Sequence, residues 1–570
     1  MNEWLDSPRP WTHGRGAVLL LVLAVTVGFG LRWRAQTPTA RYSSDSFHYL
    51  LLAQHLAAGE GFVSGGSEHP DLSRPPLFPM AIAALIPVSG DAGTAARLLT
   101  ALAGSLAVVP LFFLARAMLG SGAALAMLPL ASLSCLIGGA VRFLPTALST
   151  LLALATLGVA YTAGRQGRLT PALTAGLLAG LLAGLTALAR SEGVVWPPLL
   201  ALWILAAPSA GRRPFGRRLL VMGALVVGSL LAYAPYVVWA SGHLGRFDAA
   251  PPITYLAQMR DTSDRLGLRW MEGATVPWQQ RAAGLLSADH TQRVLPERFS
   301  HSRRLEPDPV AINLEFADLE PGQAPAVSSL LRRRLAIVAS NTVRLQSTVR
   351  YGHFAPAILV LLSLAGLPLL IHPRHRRGTL FLLLALAGSL APVISHVERR
   401  FLYTAFGLTL LPAAAGWYTL VRLAARAAGR RARLARVAVS AGLLLLALGA
   451  GLAHARVQQR PMAEYRLVEQ AAAVLAEGPA GTILAVQPTV AYMAGRPFRL
   501  LPVATPAAVL DYARAQGATQ LILEGSRDLS VRPAMEVLTS DSPPPGYTLI
   551  HAMDDLRGGR VLIFSLDTTR

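Results

Sequence analysis

The stretch from Arg41 to Pro79 sets Asp45, His48, Tyr49 and the turn Arg74-Pro75-Pro76 between two apolar runs. Asp45 can take a proton and Arg74 can hold an oxyanion, while His48 and Tyr49 add polar groups to the same stretch. A helix beginning at Ser44 puts Asp45, His48 and Tyr49 on one face by the i, i+3, i+4 rule, with Phe47, Leu50 and Leu51 pointing elsewhere. Such a helix would lie along a membrane surface. Ser43 or Ser44 can cap it, which leaves Asp45 in the first turn, where the helix dipole favours the ionised carboxylate. A helix-capping acid and a catalytic base are therefore both open readings of Asp45.

The elements that position these groups are apolar. The chain has 570 residues, 53% of them hydrophobic and 15% charged, with a mean hydropathy of +0.45, which is the composition of a polytopic membrane protein. The formal charge of +21 comes entirely from arginine, and its densest clusters fall between apolar spans, so topology explains it better than nucleic acid does. No nucleic-acid partner is expected. The single cysteine, Cys135, excludes an internal disulfide and a cysteine-based zinc site.

Eleven stretches read as spans: Ala17–Leu31, Thr94–Met118, Ala123–Ala140, Pro145–Ala163, Pro171–Ala189, Gly193–Ala207, Leu219–Ala240, Phe354–Ile371, Thr379–Ile394, Phe401–Leu420 and Val437–Leu452. Ala17–Leu31 is read as a retained span, because no small-residue cleavage site follows it. Pro76–Val88 is too short to cross and reads as a surface or re-entrant segment. With a cytoplasmic N-terminus, eleven spans put the basic loops Arg165–Arg168, Arg212–Arg218, His372–Arg377 and Arg422–Arg436 all on the cytoplasmic side. Asp45, Arg74, Arg142, Arg190, Glu192, Glu398, Arg399 and Arg400 then face outward together.

Residues 1–455 thus form a transmembrane domain, with outer loops at 34–93 and 241–351, and residues 456–570 a small extracytoplasmic α/β domain. In the second loop, Leu330–Arg350 has apolar positions at helical spacing and reads as an interfacial helix touching anionic lipid. Trp270 and Trp278 precede it. In the C-terminal part, Met462–Glu477 and Thr505–Ala515 read as helices, and Thr482–Val486 and Gln520–Leu523 as strands. Tyr547–Ala552 and Arg560–Leu566 read as a strand pair across Arg557-Gly558-Gly559.

Several motifs together carry a resemblance. Asp45-Ser46-Phe47-His48-Tyr49, Ala53-Gln54-His55-Leu56, Gly59-Glu60-Gly61-Phe62 and Arg74-Pro75-Pro76-Leu77-Phe78-Pro79 are similar to the first outer loop of GT-C membrane glycosyltransferases. More narrowly, they resemble the bacterial branch related to protein O-mannosyltransferases and to the aminoarabinose transferase that modifies lipid A. Gly180-Leu181-Leu182-Ala183-Gly184-Leu185, running into Ala189-Arg190-Ser191-Glu192-Gly193, and Glu398-Arg399-Arg400-Phe401 match further motifs of that branch.

The resemblance implies a GT-C fold in a bacterial-type inner membrane. It implies inverting transfer of a sugar from a polyprenyl-phosphate carrier to a hydroxyl of an envelope lipid, glycan or protein, at the outer face. Asp45 would be the base, and Arg74 with Arg400 or Arg399 would hold the donor phosphate. His48, Tyr49, Arg190 and Glu192 would line the substrate cavity. Each has a plainer reading beside it: Arg74 snorkelling to lipid, His48 and Tyr49 packing at the interface, Arg190 and Glu192 pinning a turn as an ion pair.

Two departures from the branch bear on metal use. Thr146 stands near the position where many relatives have an acid, and Ser46 follows Asp45 where many have a second one. Glu68, His69 and Asp71 could bind a divalent cation, but a solvated loop accounts for them, and no obligatory metal or other cofactor is expected. A transporter or flippase of lipid-linked sugars would instead place polar groups at mid-membrane in repeated halves, which this chain lacks. A scaffold without activity would leave the Asp45 group unexplained.

Overall fold

The structure is a computed structural model that describes residues 15–36, 44–63, 70–72, 74–133, 142–164, 166, 168–206, 215–244, 247–250, 357–390, 402–458, 463–486, 488–502, 505–524, 533–540, 542–554 and 560–568. Helix follows helix through the first part: α1 (Arg15–Ala35), α2 (Ser44–Ala58), α3 (Leu77–Ser89), α4 (Ala92–Leu106), α5 (Val108–Leu119), α6 (Ser121–Leu133), α7 (Thr146–Ala163) and α8 (Leu169–Ala189). A 3-10 turn, Ser191–Val195, leads into α9 (Trp196–Ala206), and then come α10 (Phe215–Leu244), α11 (Ala357–Ile371), α12 (Arg376–Ser389), α13 (Tyr403–Ala427) and α14 (Ala432–Gln458).

Described helix falls within each of the eleven apolar stretches. Among the described residues, seven helical stretches are long and apolar enough to cross a membrane alone: Gly16–Ala35, Ala92–Leu119, Thr146–Ala163, Leu169–Ala189, Phe215–His243, Tyr403–Ala427 and Gly429–Gly449. The segments at Ser121–Leu133, Ser191–Ala206 and Leu359–Ile371 are shorter. At about 1.5 Å per residue, the 13 residues of α3 reach only about 20 Å, consistent with a segment that does not cross. The chain is a multi-span membrane protein, and the Val and Leu side chains that α1 and α14 expose, Leu19 and Leu445 among them, form the kind of surface that lipid covers.

Small residues let the helices approach. A Cβ at Gly176 of α8 would stand 2.8 Å from the Val221 carbonyl of α10, and one at Gly184 would stand 2.7 Å from that of Ser229. On α13, a Cβ at Gly416 would run into the Leu362 carbonyl of α11. Glycine at these positions brings backbones together where lipid offers no hydrophobic drive for association.

The basic loops cluster at one end of the bundle. Arg377 donates to the Gly164 carbonyl. Arg217 Nη2 donates to Gln166 O at 3.0 Å, and His375 Nδ1 lies 2.9 Å from Met118 O. The opposite end is held by Arg32, which is fully buried in the last turn of α1. Its guanidinium donates to the carbonyls of Gly28, Ser132 and Ala131 at 3.0, 3.2 and 3.2 Å. A cation there meets the last carbonyls of α6 and the negative end of its dipole.

The C-terminal part is a three-layer α/β unit built from α15 (Ala463–Glu477), β1 (Thr482–Ala485), α16 (Thr489–Met493), β2 (Phe498–Leu500), α17 (Pro506–Ala515), β3 (Ala518–Glu524), β4 (Tyr547–Asp554) and β5 (Arg560–Leu566). The strand order is β2-β1-β3-β5-β4, parallel from β2 to β3 and antiparallel from β3 to β4. Alternate residues serve opposite faces. Leu484, Leu521, Leu562 and Phe564 pack with Val509 and Ala513 of α17, while Ile483, Ile522 and Ile563 pack with Leu475 of α15 and Val490 of α16. The strands expected at Thr482, Gln520, Tyr547 and Arg560 are present, and α16 and β2 are additional to the sequence reading.

Candidate active site

Helix α2 begins at Ser44 with Asp45 in its first turn, as the capping residues suggest. Its surroundings differ from expectation. Phe47 and Leu50 are fully buried, as deeply as His48, so α2 is not a surface helix with one dry face. Its apolar side is covered by protein: Phe47 meets Tyr492 of α16 edge-on at 5.2 Å, and Tyr49 meets Phe78 of α3 edge-on at 5.4 Å. The segment before α7 joins the same core through Phe143 and Leu144.

After α2 the chain reverses at Gly59 and Gly61, whose φ values of 78° and 91° favour glycine. The Asp71 N–H donates to the Phe62 carbonyl at 2.8 Å, which brings the loop back across the helix. Arg74 Nη1 then donates to Asp71 Oδ2 at 2.6 Å, with both side chains mostly shielded from solvent. In the plain sequence reading Asp71 belonged with Glu68 and His69 as a metal alternative. Here it is engaged by Arg74, and Glu68 and His69 lie outside the described residues. Among the described residues no three His, Cys, Asp or Glu side chains come together in a metal-binding group.

His48 ties this cluster together electrostatically. Burial first, and then the Arg74 guanidinium, push its pKa down to about 3, against the opposing pull of Asp71 and Asp45. It is therefore a neutral imidazole at physiological pH, and its Nδ1 is buried without a hydrogen bond. Asp45, His48, Asp71 and Arg74 thus share one electrostatic neighbourhood. Tyr236 of α10 joins it: Leu72 packs with Tyr236 and Ala240, and Leu188 near the end of α8 packs against them. Sequence reading passed over Tyr236, since no spacing relates it to the first loop.

Arg190 and Glu192 form the ion pair that their positions suggest. Arg190 Nη2 and Nε lie 3.0 and 3.2 Å from the two carboxylate oxygens, and Nη1 is 3.3 Å from Thr146 Oγ1. Thr146, which lies near the position where the resemblance expects an acid, is therefore a partner of Arg190. These residues line a cavity of about 40 Å3 with Thr150, Thr186, Ser389 and Thr404. It has room for about two or three waters, and Asp45, His48 and Arg74 are not among its lining. Glu398, Arg399 and Arg400 lie outside the described residues, as do Trp270, Trp278 and Leu330–Arg350.

The two groups of polar residues sit at the end of the bundle opposite the basic loops. α7 leaves Thr146 there and reaches Gly164 at the basic end, and α10 starts near Arg217 at the basic end and reaches Tyr236. A carboxylate, a neutral imidazole and a guanidinium therefore stand together at one end of an apolar bundle.

Comparison with solved structures identifies this architecture. ArnT from Cupriavidus metallidurans in the apo state superposes with a TM-score of 0.54 at 13% identity, over 97% of this chain and 99% of that one. The fold is that of the GT-C membrane glycosyltransferases. The same enzyme bound to undecaprenyl phosphate gives a TM-score of 0.53 at 13% identity, over 97% of this chain and 98% of that one. The apo oligosaccharyltransferase of Archaeoglobus fulgidus gives 0.51 at 12% identity, over 99% of this chain and 75% of that one. At the sequence level, residues 73–239 match the family described as dolichyl-phosphate-mannose-protein mannosyltransferase. That match takes in Arg74, Arg190, Glu192 and Tyr236 and begins after Asp45. No curated protein matches the sequence.

Proposed function

We propose that the chain is an inverting glycosyltransferase that moves a sugar from a polyprenyl-phosphate donor to a hydroxyl of an envelope lipid, glycan or protein. The observation that carries this reading is the convergence of Asp45, His48 and Arg74 at one end of a GT-C bundle, opposite the arginine-rich end. By the charge bias of its loops, the arginine-rich end faces the cytoplasm, which puts the site and the C-terminal unit outside, in a bacterial-type inner membrane. The ArnT structure with undecaprenyl phosphate supports a donor of that class.

In this reaction Asp45 accepts the proton of the acceptor hydroxyl as its oxygen attacks the anomeric carbon from the face away from the phosphate. The anomeric C–O bond breaks, its electron pair stays on the phosphate oxygen, and the anomeric configuration inverts. Arg74, with Arg399 or Arg400, steadies the charge that grows on the phosphate. His48, neutral at working pH, orients the acceptor hydroxyl, with Tyr49 packed beside it. Arg190 and Glu192, tied to each other and to Thr146, fix the rim of the substrate cavity. No metal step is needed for the proton transfer or the leaving group.

The test is to incubate the purified protein with extracted bacterial membrane lipids and follow sugar-bearing polyprenyl phosphate by mass spectrometry. Loss of the sugar mass from polyprenyl phosphate, with its gain on a second molecule whose new linkage has the inverted configuration by NMR, is expected. Movement of intact donor across vesicle membranes without any loss of sugar would instead indicate a flippase.

A further inference from the structure

Around the Asp71–Arg74 bridge, three polar atoms are buried with no hydrogen-bond partner among the described residues: the Tyr236 hydroxyl, His48 Nδ1 and Asp248 Oδ2. Native proteins rarely keep such atoms, and a buried hydroxyl of this kind calls for an explanation in the working of its site. Tyr236 is 7% exposed and packs on Leu72, the residue next to Asp71. The acids that act on its hydroxyl electrostatically are Asp71 and Asp248, with Tyr233 the other titratable neighbour. Asp248 Oδ1 accepts from Ala250 N at 2.9 Å and its N–H donates to Ser241 Oγ at 3.0 Å, while its Oδ2 is buried with no hydrogen bond among the described residues; neither of those two partners is a cation that the donor could take from it. Asp71 is held by a guanidinium, which an anion can draw away.

We propose that Asp71 is an exchangeable counter-ion for Arg74: the guanidinium passes from Asp71 to the donor phosphate, and Asp71 then accepts the hydrogen bond of Tyr236. This rests on the reading of Arg74 as a phosphate ligand. The driving force is charge. A polyprenyl-phosphate sugar is a phosphodiester with one negative charge. When the anomeric C–O bond breaks, the electron pair stays on phosphate, and the leaving monoester carries about −1.5 to −2 at neutral pH. The phosphate therefore outcompetes the carboxylate for Arg74 most strongly as the bond breaks, which is where stabilisation accelerates the reaction. Asp71 keeps Arg74 shielded and aimed before the donor arrives, and Tyr236 offers the released carboxylate a hydrogen bond in place of the guanidinium. Asp71 and Tyr236 are in this account positioning residues.

The probe is a short-chain polyprenyl phosphate, with the matching polyprenol as control, titrated against the full-length purified protein. Arg74→Ala, Asp71→Asn, Tyr236→Phe and the Asp71→Asn/Tyr236→Phe double variant are compared with wild type, and thermal unfolding is recorded for each. Tyr236→Phe is expected to weaken phosphate binding about tenfold without lowering thermal stability, since its hydroxyl bonds to nothing in the resting state. Asp71→Asn is expected to tighten binding, and on that background the Tyr236→Phe deficit should shrink to within about twofold. Wild-type affinity in Tyr236→Phe, or an equal deficit on both backgrounds, would overturn the exchange while leaving Arg74 as the phosphate ligand if Arg74→Ala still loses binding. Equal binding of phosphate and polyprenol by wild type would overturn both. Should Asp71→Asn fail to fold, the Tyr236→Phe affinity alone decides.

Discussion

At the residue scale the account turns on groups whose protonation is set by their surroundings. His48, with its pKa pushed down to about 3 from an ordinary 6.5, binds its proton more readily in the unfolded chain than in the folded one. Its contribution to stability is therefore fully present above pH 6.5 and is lost as pH falls from there towards 3. Unfolding followed between pH 7 and 4 should show wild type losing stability relative to His48→Gln. An identical pH slope in the two would mean that His48 is not buried neutral. The same neutrality predicts that activity shows no histidine-type step from His48 between pH 6 and 7. Arg74→Ala should raise the donor KM and lower kcat, because Arg74 meets the phosphate in the ground state and more strongly as its charge grows. A fall in kcat at unchanged KM would assign Arg74 to the transition state alone.

Some of this was legible residue by residue. Arg190 and Glu192 are two positions apart in a short turn, so their pairing follows from sequence proximity, as it does in the structure. Asp71 and Arg74, three apart, were equally close, but Asp71 also stood beside Glu68 and His69, and residue type alone could not choose between a cation and an ion pair. Tyr236 carries no local signal. It meets the first loop only because α8 and α10 carry it to the same end of the bundle.

At the scale of elements, apolar length and punctuation marked the stretches that hold the described membrane helices and placed the start of α2 at Ser44. What periodicity could not provide was the burial of the second face of α2, because the covering residue, Tyr492, comes from a helix far along the chain. That helix, α16, is five residues long and too short for any periodic signal. The close pair α11 and α13 was likewise invisible as a pair, although Gly366 and Gly416 are readable as small residues. Gly416→Ala would drive a methyl into the Leu362 carbonyl and should destabilise the protein by about 1–3 kcal/mol, read as a lower unfolding temperature in detergent. An unchanged unfolding temperature would show that α11 and α13 can separate freely. In contrast, Gly30→Ala, where a Cβ meets nothing within 4 Å, should leave stability unaltered.

At the scale of the whole molecule, the chain separates chemistry from anchoring. Arginines at one end clasp one another's loops through backbone carbonyls, as Arg377 does at Gly164 and Arg217 at Gln166. Carboxylates, imidazole and hydroxyls occupy the other end, and the C-terminal unit seats Tyr492 against the helix that carries Asp45. Sequence made the two-ended design legible through the parity of its spans, because lipid forces every polar loop to one side or the other. It left the docking of the C-terminal unit unreadable, because that contact rests on single aromatic side chains. Tyr492→Ala should loosen this cover and lower activity, and hydrogen exchange should rise in α2 while the core of α13 stays protected.

The central claim is that Asp45 removes the acceptor's proton while sugar leaves a polyprenyl phosphate. The most direct measurement compares wild type with Asp45→Asn, which keeps the shape of the side chain and deletes the base, for donor binding and for loss of sugar from polyprenyl phosphate by mass spectrometry. The account predicts intact donor binding in both, with transfer in wild type alone. Transfer at the wild-type rate by Asp45→Asn would contradict it.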